Sequence, residues 1–166
     1  MKIRQLPSPI LVIGRRNAVL GCGEFNLISV RHMKISFHAG EVAISHEDWG
    51  LIVGLKGESS DELDYYLMLQ RQKEFDEQDV KLGMADVYIE VCGQGMSWYG
   101  NIDSFELHPA SVEVELSEAA ATEVGIERGI HISFPPERHI ELSVALREVF
   151  AGRRYYREKQ CERPGT

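Results

Sequence analysis

The stretch Lys73-Glu-Phe-Asp-Glu-Gln-Asp79 carries four carboxylates in six residues, Glu74, Asp76, Glu77 and Asp79. Clustered carboxylates can hold calcium, exchange a proton with a substrate, or present negative charge to another molecule. A calcium loop needs oxygen ligands at alternate places of a turn of about twelve residues, with Gly in the middle and Glu at the end. Counted from Asp76, those two places hold Lys81 and Val87, so the pattern is not a calcium loop. Acid–base work needs a desolvated carboxylate, which a polar run does not supply. Glu90, inside the apolar run Asp86-Val-Tyr-Ile-Glu-Val91, is the better candidate; with Gln70 or Tyr88 beside it, it could serve a small enzyme. The simpler expectation for Glu90 is a solvated strand face.

His139-Ile-Glu141 matches the first half of a zinc deaminase signature, but the Pro-Cys-x-x-Cys half that would complete the metal's ligand set is missing. Histidines 32, 38, 46, 108 and 131 show no spacing of a metal site in sequence, so no metal and no cofactor is expected. The glycine-rich run Gly93-Gln-Gly-Met-Ser-Trp-Tyr-Gly100 lacks the second glycine of a nucleophile elbow and the Lys-Ser/Thr of a phosphate loop. It reads as a glycine-rich hairpin loop with Trp98 and Tyr99 either folded back onto the sheet or exposed beside the acidic run, the latter a composition typical of interface anchors.

Composition bounds what these residues serve. A chain of 166 residues with 43% apolar content suits one domain with one core. The net charge of −8 is unevenly spread: residues 1–32 carry +4, residues 33–152 carry −15 and residues 153–166 carry +3. So acidic a central domain repels nucleic acid; on charge alone it reads first as a surface that confers solubility, and second as a field that would steer a basic partner. No apolar run approaches the roughly 20 residues of a membrane-spanning helix. The cysteines, Cys22, Cys92 and Cys161, fit neither a disulfide framework nor a zinc knuckle, and a cytoplasmic location is expected.

The elements that must position the candidates begin at Met33. Residues 1–32 read as an N-terminal extension upstream of a second start at Met33; Arg15 and Arg16 break the apolar run that a lipoprotein signal ending at Cys22 would need. Strands are expected at 34–39, 50–57, 65–72 and 86–91, with the acidic run as a loop between the last two. Two further strands alternate cleanly, at 112–116 and 130–134, each with one wet face. Ser117 and Gly125 cap one helix; Leu142, Ala145, Leu146, Val149 and Phe150 form the stripe of another, starting after Pro135-Pro136 and running to about Ala151. The fold class expected is α+β, a mainly antiparallel sheet with two helices packed on one face. Residues 153–166 read as a basic tail, frayed or disordered.

The run Leu67–Leu107 resembles immunity protein family ten of bacterial polymorphic toxin systems. The matching pieces, in order, are Leu69-Gln70-Arg71, Asp76-Glu77-Gln78-Asp79, Gly83-Met84, Tyr88-Ile89-Glu90, Gln94, Ser97 and Tyr99-Gly100. Ala85 is an insertion relative to that pattern, and Asn101 stands where a second glycine is expected. The resemblance covers residues 33–150 and brings no catalytic residue. It implies a non-enzymatic inhibitor, made by the cell that carries a toxin gene, whose partner is the cognate toxin domain. Charge adds a basic domain, such as a nuclease, as the partner's chemistry. The residues expected to meet it are Asp76, Glu77, Asp79, Glu90, Gln94, Trp98 and Tyr99. Two other classes remain: the small enzyme at Glu90, and a stabilising subunit of a larger assembly, which would present a large apolar patch.

Overall fold

The computed structural model describes residues 33–59, 64–93 and 95–159. In chain order it runs β1 (Met33–His46), β2 (Gly50–Gly57), β3 (Tyr66–Gln72), α1 (Glu77–Lys81), β4 (Tyr88–Val91), β5 (Ser97–Tyr99), β6 (Ile102–His108), β7 (Ser111–Leu116), α2 (Glu118–Val124), β8 (Ile126–Ser133), α3 (His139–Val149) and β9 (Tyr156–Glu158). All nine strands join one sheet in the order β5-β4-β3-β2-β1-β8-β7-β6-β9. The chain is α+β with strand predominating. The sheet is mainly antiparallel, as expected, with two parallel pairs that alternation did not announce, β1 with β8 and β6 with β9. Alternation of apolar and polar residues reports that a strand has two faces, and carries no information about the direction of its neighbour.

β1 is the spine. Its first half pairs with β8 and its second half, from Ala39 on, with β2. The expected strand stopped at residue 39 because Gly40-Glu41 interrupts the alternation. There the register slips by one residue, so that buried Ile35 and Ala39 are followed by buried Val42 instead of Glu41. The bulge returns the apolar side to the core and lets one strand serve both halves of the sheet.

The order of strands and the length of one connection together dictate the curvature. β5 ends one side of the sheet and β6 lies next to the other end, yet only Gly100 and Asn101 join them. Three Cα steps reach about 11 Å, so the sheet must curl until its ends meet. Both link residues lie in the left-handed region, with φ of 61° and 56°. Asn is the residue that best tolerates it after glycine, which accounts for Asn101 where a second glycine was expected. A Cβ on Gly100 would come within 2.9 Å of Asp86 Oδ2.

Inside the curl lie Phe105, Leu107, Ile130, Ile132, Leu55, Leu67 and Ile89, all essentially inaccessible. α2 forms as its ends predict: Ser117 Oγ accepts from Ala120 N–H, and Gly125 closes the helix at φ 73°. α3 follows a 3-10 turn at Pro136–Arg138 and buries Leu142, Ala145, Leu146 and Val149 against β1, β2 and β3. Among the described residues no helix is long and apolar enough to cross a membrane.

The segment after Gly152, expected to be a basic tail, adds structure as far as Lys159. Tyr156 stacks on Phe150 at 5.1 Å, Tyr155 meets the same ring edge-on at 5.7 Å, and β9 extends the sheet. Three residues are too few for a strand to show a period in sequence. Glu158 locks the segment to α3, accepting from Arg147 at 2.6 and 2.7 Å, from Tyr156 at 2.8 Å and from Ser143 at 3.2 Å. Residues 1–32 and 160–166 lie outside the described residues, as do Cys22 and Cys161; Cys92 is buried and unpaired.

The Arg147 hydrogen bonds hold the Glu158 carboxyl down at about 2 from an ordinary 4.5, against the opposing effect of burial. A folded-state pKa below the unfolded one stabilises the fold fully above the higher value and progressively less below it. Stability should therefore fall as pH drops from 4.5 toward 2, and Glu158→Gln should flatten that part of the urea-midpoint profile. Because the Arg147 side chain is 64% exposed, screening limits the substitution's cost at neutral pH to about 1 kcal/mol.

Candidate partner-binding face

The acidic run, expected as a loop, contains a single helical turn, and its carboxylates have local work. Asp76 is the N-cap of α1: its Oδ1 accepts from Asp79 N–H at 2.8 Å, while Asp79 Oδ2 accepts from Asp76 N–H at 3.1 Å. This reciprocal capping satisfies two otherwise unpaired donors, and Glu77 in the first turn sits favourably at the positive end of the helix. α1 buries none of its residues, so all three carboxylates stay near solvent. Lys73 anchors the entry by donating to the carbonyls of Glu47 and Asp48.

β4 and β5 pair with Tyr88 opposite Tyr99, Ile89 opposite Trp98 and Glu90 opposite Ser97. β3 continues the rows, with Met68 opposite Glu90 and Gln70 opposite Tyr88. Because neighbours in a strand point to opposite faces, Tyr88, Glu90 and Tyr99 share the outward face, whereas Trp98 joins Ile89 on the core side. The two rings expected to act together are thus divided by the sheet. Trp98 is half-buried against the core and lines a small hollow with Ala120 and Val124 of α2. Gln94 lies outside the described residues.

Glu90 corrects the expectation of a solvated strand face: it is only 6% exposed. Tyr66 and Tyr88 roof it, each hydroxyl donating to a different carboxylate oxygen, Tyr88 at 2.7 Å. Tyr66 comes from the neighbouring strand, and no spacing within the Tyr88-Ile-Glu90 run announces it. Burial, reinforced by the Glu90 charge, pushes the Tyr88 hydroxyl up to about 12 and Tyr66 further in the same direction, so both remain donors at neutral pH. Tyr99 packs on Tyr88 with centroids 5.2 Å apart, and its hydroxyl is raised by burial and by the negative charge of Asp79. Asp79 of α1 is thus near enough for its charge to act on the outermost ring of the tyrosine cluster.

The outward face continues toward β1 as a shallow apolar groove of about 310 Å³ lined by Ala43, Ile52, Gly54, Tyr66 and Met68, with Glu41 and Lys56. Ala43, Gly54 and Met68 are cross-strand neighbours, so two small side chains in adjacent strands make the depression. A glycine inside an apolar strand was the available sign of it. The His139–Glu141 pair forms no ligand set, since Glu141 is engaged by Arg138.

Removing both donors with Tyr66→Phe and Tyr88→Phe leaves a buried carboxylate without partners and should cost about 3 kcal/mol or more in urea denaturation. Adding Glu90→Met should restore most of that loss, because the unpaired charge goes with it. If the double variant is as stable as the parent, the carboxylate is solvated and the roof is not closed.

The chain matches the family model of Immunity protein 10 over residues 38–141. Comparison with curated proteins and with solved structures gives no match. The matched region contains α1, the whole of β2 to β8 and the outward tyrosine face, and covers more than half of the sequence. The chain belongs to the Immunity protein 10 family.

Proposed function

We propose that this immunity protein neutralises a cognate toxin by binding it in the cytoplasm, and that the toxin domain is basic, as a nuclease would be. The observation that carries the reading is family membership, supported by the −15 charge of residues 33–152 and by the influence of the Asp79 charge on Tyr99. In this reading Asp76, Glu77 and Asp79 steer the approach of a basic surface, which raises the association rate. Tyr99 with Tyr88 supplies the water-excluding contact, and buried Glu90 holds Tyr66 and Tyr88 in place for it. β5 is an edge strand, so a partner gripping that edge meets Tyr99 on one side and Trp98 on the other. Catalysis has no part in it.

A second reading, a small enzyme working through Glu90, is favoured by that residue's burial beside the groove. The two separate cleanly, since an enzyme turns over a small compound without any partner present.

The experiment is association of the purified pair, the toxin being the domain encoded beside this gene. Asp76→Asn, Glu77→Gln and Asp79→Asn together remove the charge while leaving the cap, because Asn caps as well as Asp. The association rate at low ionic strength should fall about tenfold, with the difference vanishing near 0.5 M salt as screening shortens the range of the field. An unchanged rate at low salt would falsify the steering role, and failure of co-expression to rescue cells from the toxin would remove the pairing itself.

A further inference from the structure

The other half of the sheet assembles a group that the sequence leaves scattered. Glu106 of β6 stands directly opposite Glu113 of β7, and Glu113 directly opposite His131 of β8; His108 lies two residues beyond Glu106 on the same face. Two like charges facing each other across a strand pair are destabilising unless something positive lies between or beside them. The outer oxygens are served: Lys159 Nζ is 3.3 Å from Glu106 Oε1, and His131 Nδ1 is 3.6 Å from Glu113 Oε1. The inner oxygens are not. Glu106 Oε2 and Glu113 Oε2 both converge on His108 Nε2 at 3.7 Å, beyond hydrogen-bond length. That nitrogen is shut off from solvent and has no hydrogen-bond partner, although its ring is 29% exposed.

One imidazole nitrogen and two carboxylate oxygens, all within 4.8 Å of one another, have the composition and spread of a metal's ligand set. Donors bound at about 2.0 to 2.2 Å from one ion lie roughly 3.4 Å apart at tetrahedral angles, so the two 3.7 Å separations from His108 need to close by only a few tenths of an ångström, and the two carboxylate oxygens, within 4.8 Å of each other, approach by side-chain rotation. Imidazole with carboxylates favours a first-row transition metal over magnesium or calcium. Lys159 and His131 would act from outside, fixing the orientation of the two carboxylates as outer partners of metal ligands do.

We propose that Glu106, His108 and Glu113 form a binding site for one divalent transition metal ion per chain. The site uses residues of β6 and β7 and none of α1 or β3 to β5, so it stands or falls independently of the toxin-binding reading. Zinc is the probe. The untagged full-length chain, treated with chelator and dialysed, is titrated with zinc chloride by calorimetry, and its thermal midpoint is read with and without zinc. One zinc per chain is expected, with a raised midpoint. His108→Ala and Glu113→Gln should each weaken binding at least tenfold. His38→Ala, on the same sheet face but paired with Ser133 Oγ at 2.9 Å, should leave it unchanged. Glu113 is half exposed, so Glu113→Gln should keep the fold even if His108→Ala does not, as the midpoint in chelator would report. Absence of saturable binding, or binding that survives Glu113→Gln, or equal loss in His38→Ala, overturns the site.

Discussion

Gly100 and Asn101 must connect a strand at one end of a nine-stranded sheet to a strand near its other end. An open sheet of that width would hold those ends several strand spacings apart, at about 4.8 Å each. The connection therefore forces the sheet to close on itself, and its side chains fill the space enclosed. The junction is secured around Asp86, whose Oδ1 accepts from Val87 N–H at 2.7 Å and forms an ion pair with the Arg153 guanidinium at 2.8 Å, while Gly100 N–H donates to Val87 O. Ser117 N–H reaches back to Asn101 O and so ties the start of α2 to the same point. One corner thus gathers the beginnings of β4, β6, α2 and the C-terminal segment.

The proposed binding face inherits its order from that corner. β5 is three residues long, and no strand that short is stable without support on both sides. It receives it from pairing with β4 and from Trp98 packing beneath, which leaves Tyr99 held outward against Tyr88. Rings fixed in this way lose little further freedom when a partner covers them, and preorganisation of that kind is what allows a small aromatic cluster to contribute strongly to affinity. The carboxylates of α1 serve differently, since a charge can act at a distance without being rigidly placed.

Much of this architecture was legible in the sequence where local rules govern. Ser117 and Gly125 delimited α2, the Leu142 to Phe150 stripe gave α3, and clean alternation gave β7 and β8. The failures have physical causes. β6 was missed because its register shifts between Ile102 and Ser104, which puts Ile102 and Phe105 out of step with a period of two. The second half of β1 was hidden by the bulge at Gly40, and β9 by its brevity. Of the candidate residues, the acidic trio could be found because its members adjoin in sequence. The burial of Glu90 could not, since half of its cover comes from Tyr66, 24 positions earlier. Likewise the Glu106, His108 and Glu113 group exists only through a cross-strand register that alternation does not specify.

β1 belongs to both halves of the sheet, and this has a consequence for how the protein breathes. Peeling β2 to β5 away would strip one flank of β1 just where its other segment anchors β8, so neither half can loosen without weakening the seam of its neighbour. Amides along β1 should accordingly be among the last to exchange with solvent deuterium. By the same topology, transient opening belongs to the periphery, at α1, which buries none of its residues, and at the terminal strands, where yielding would not unravel the interior.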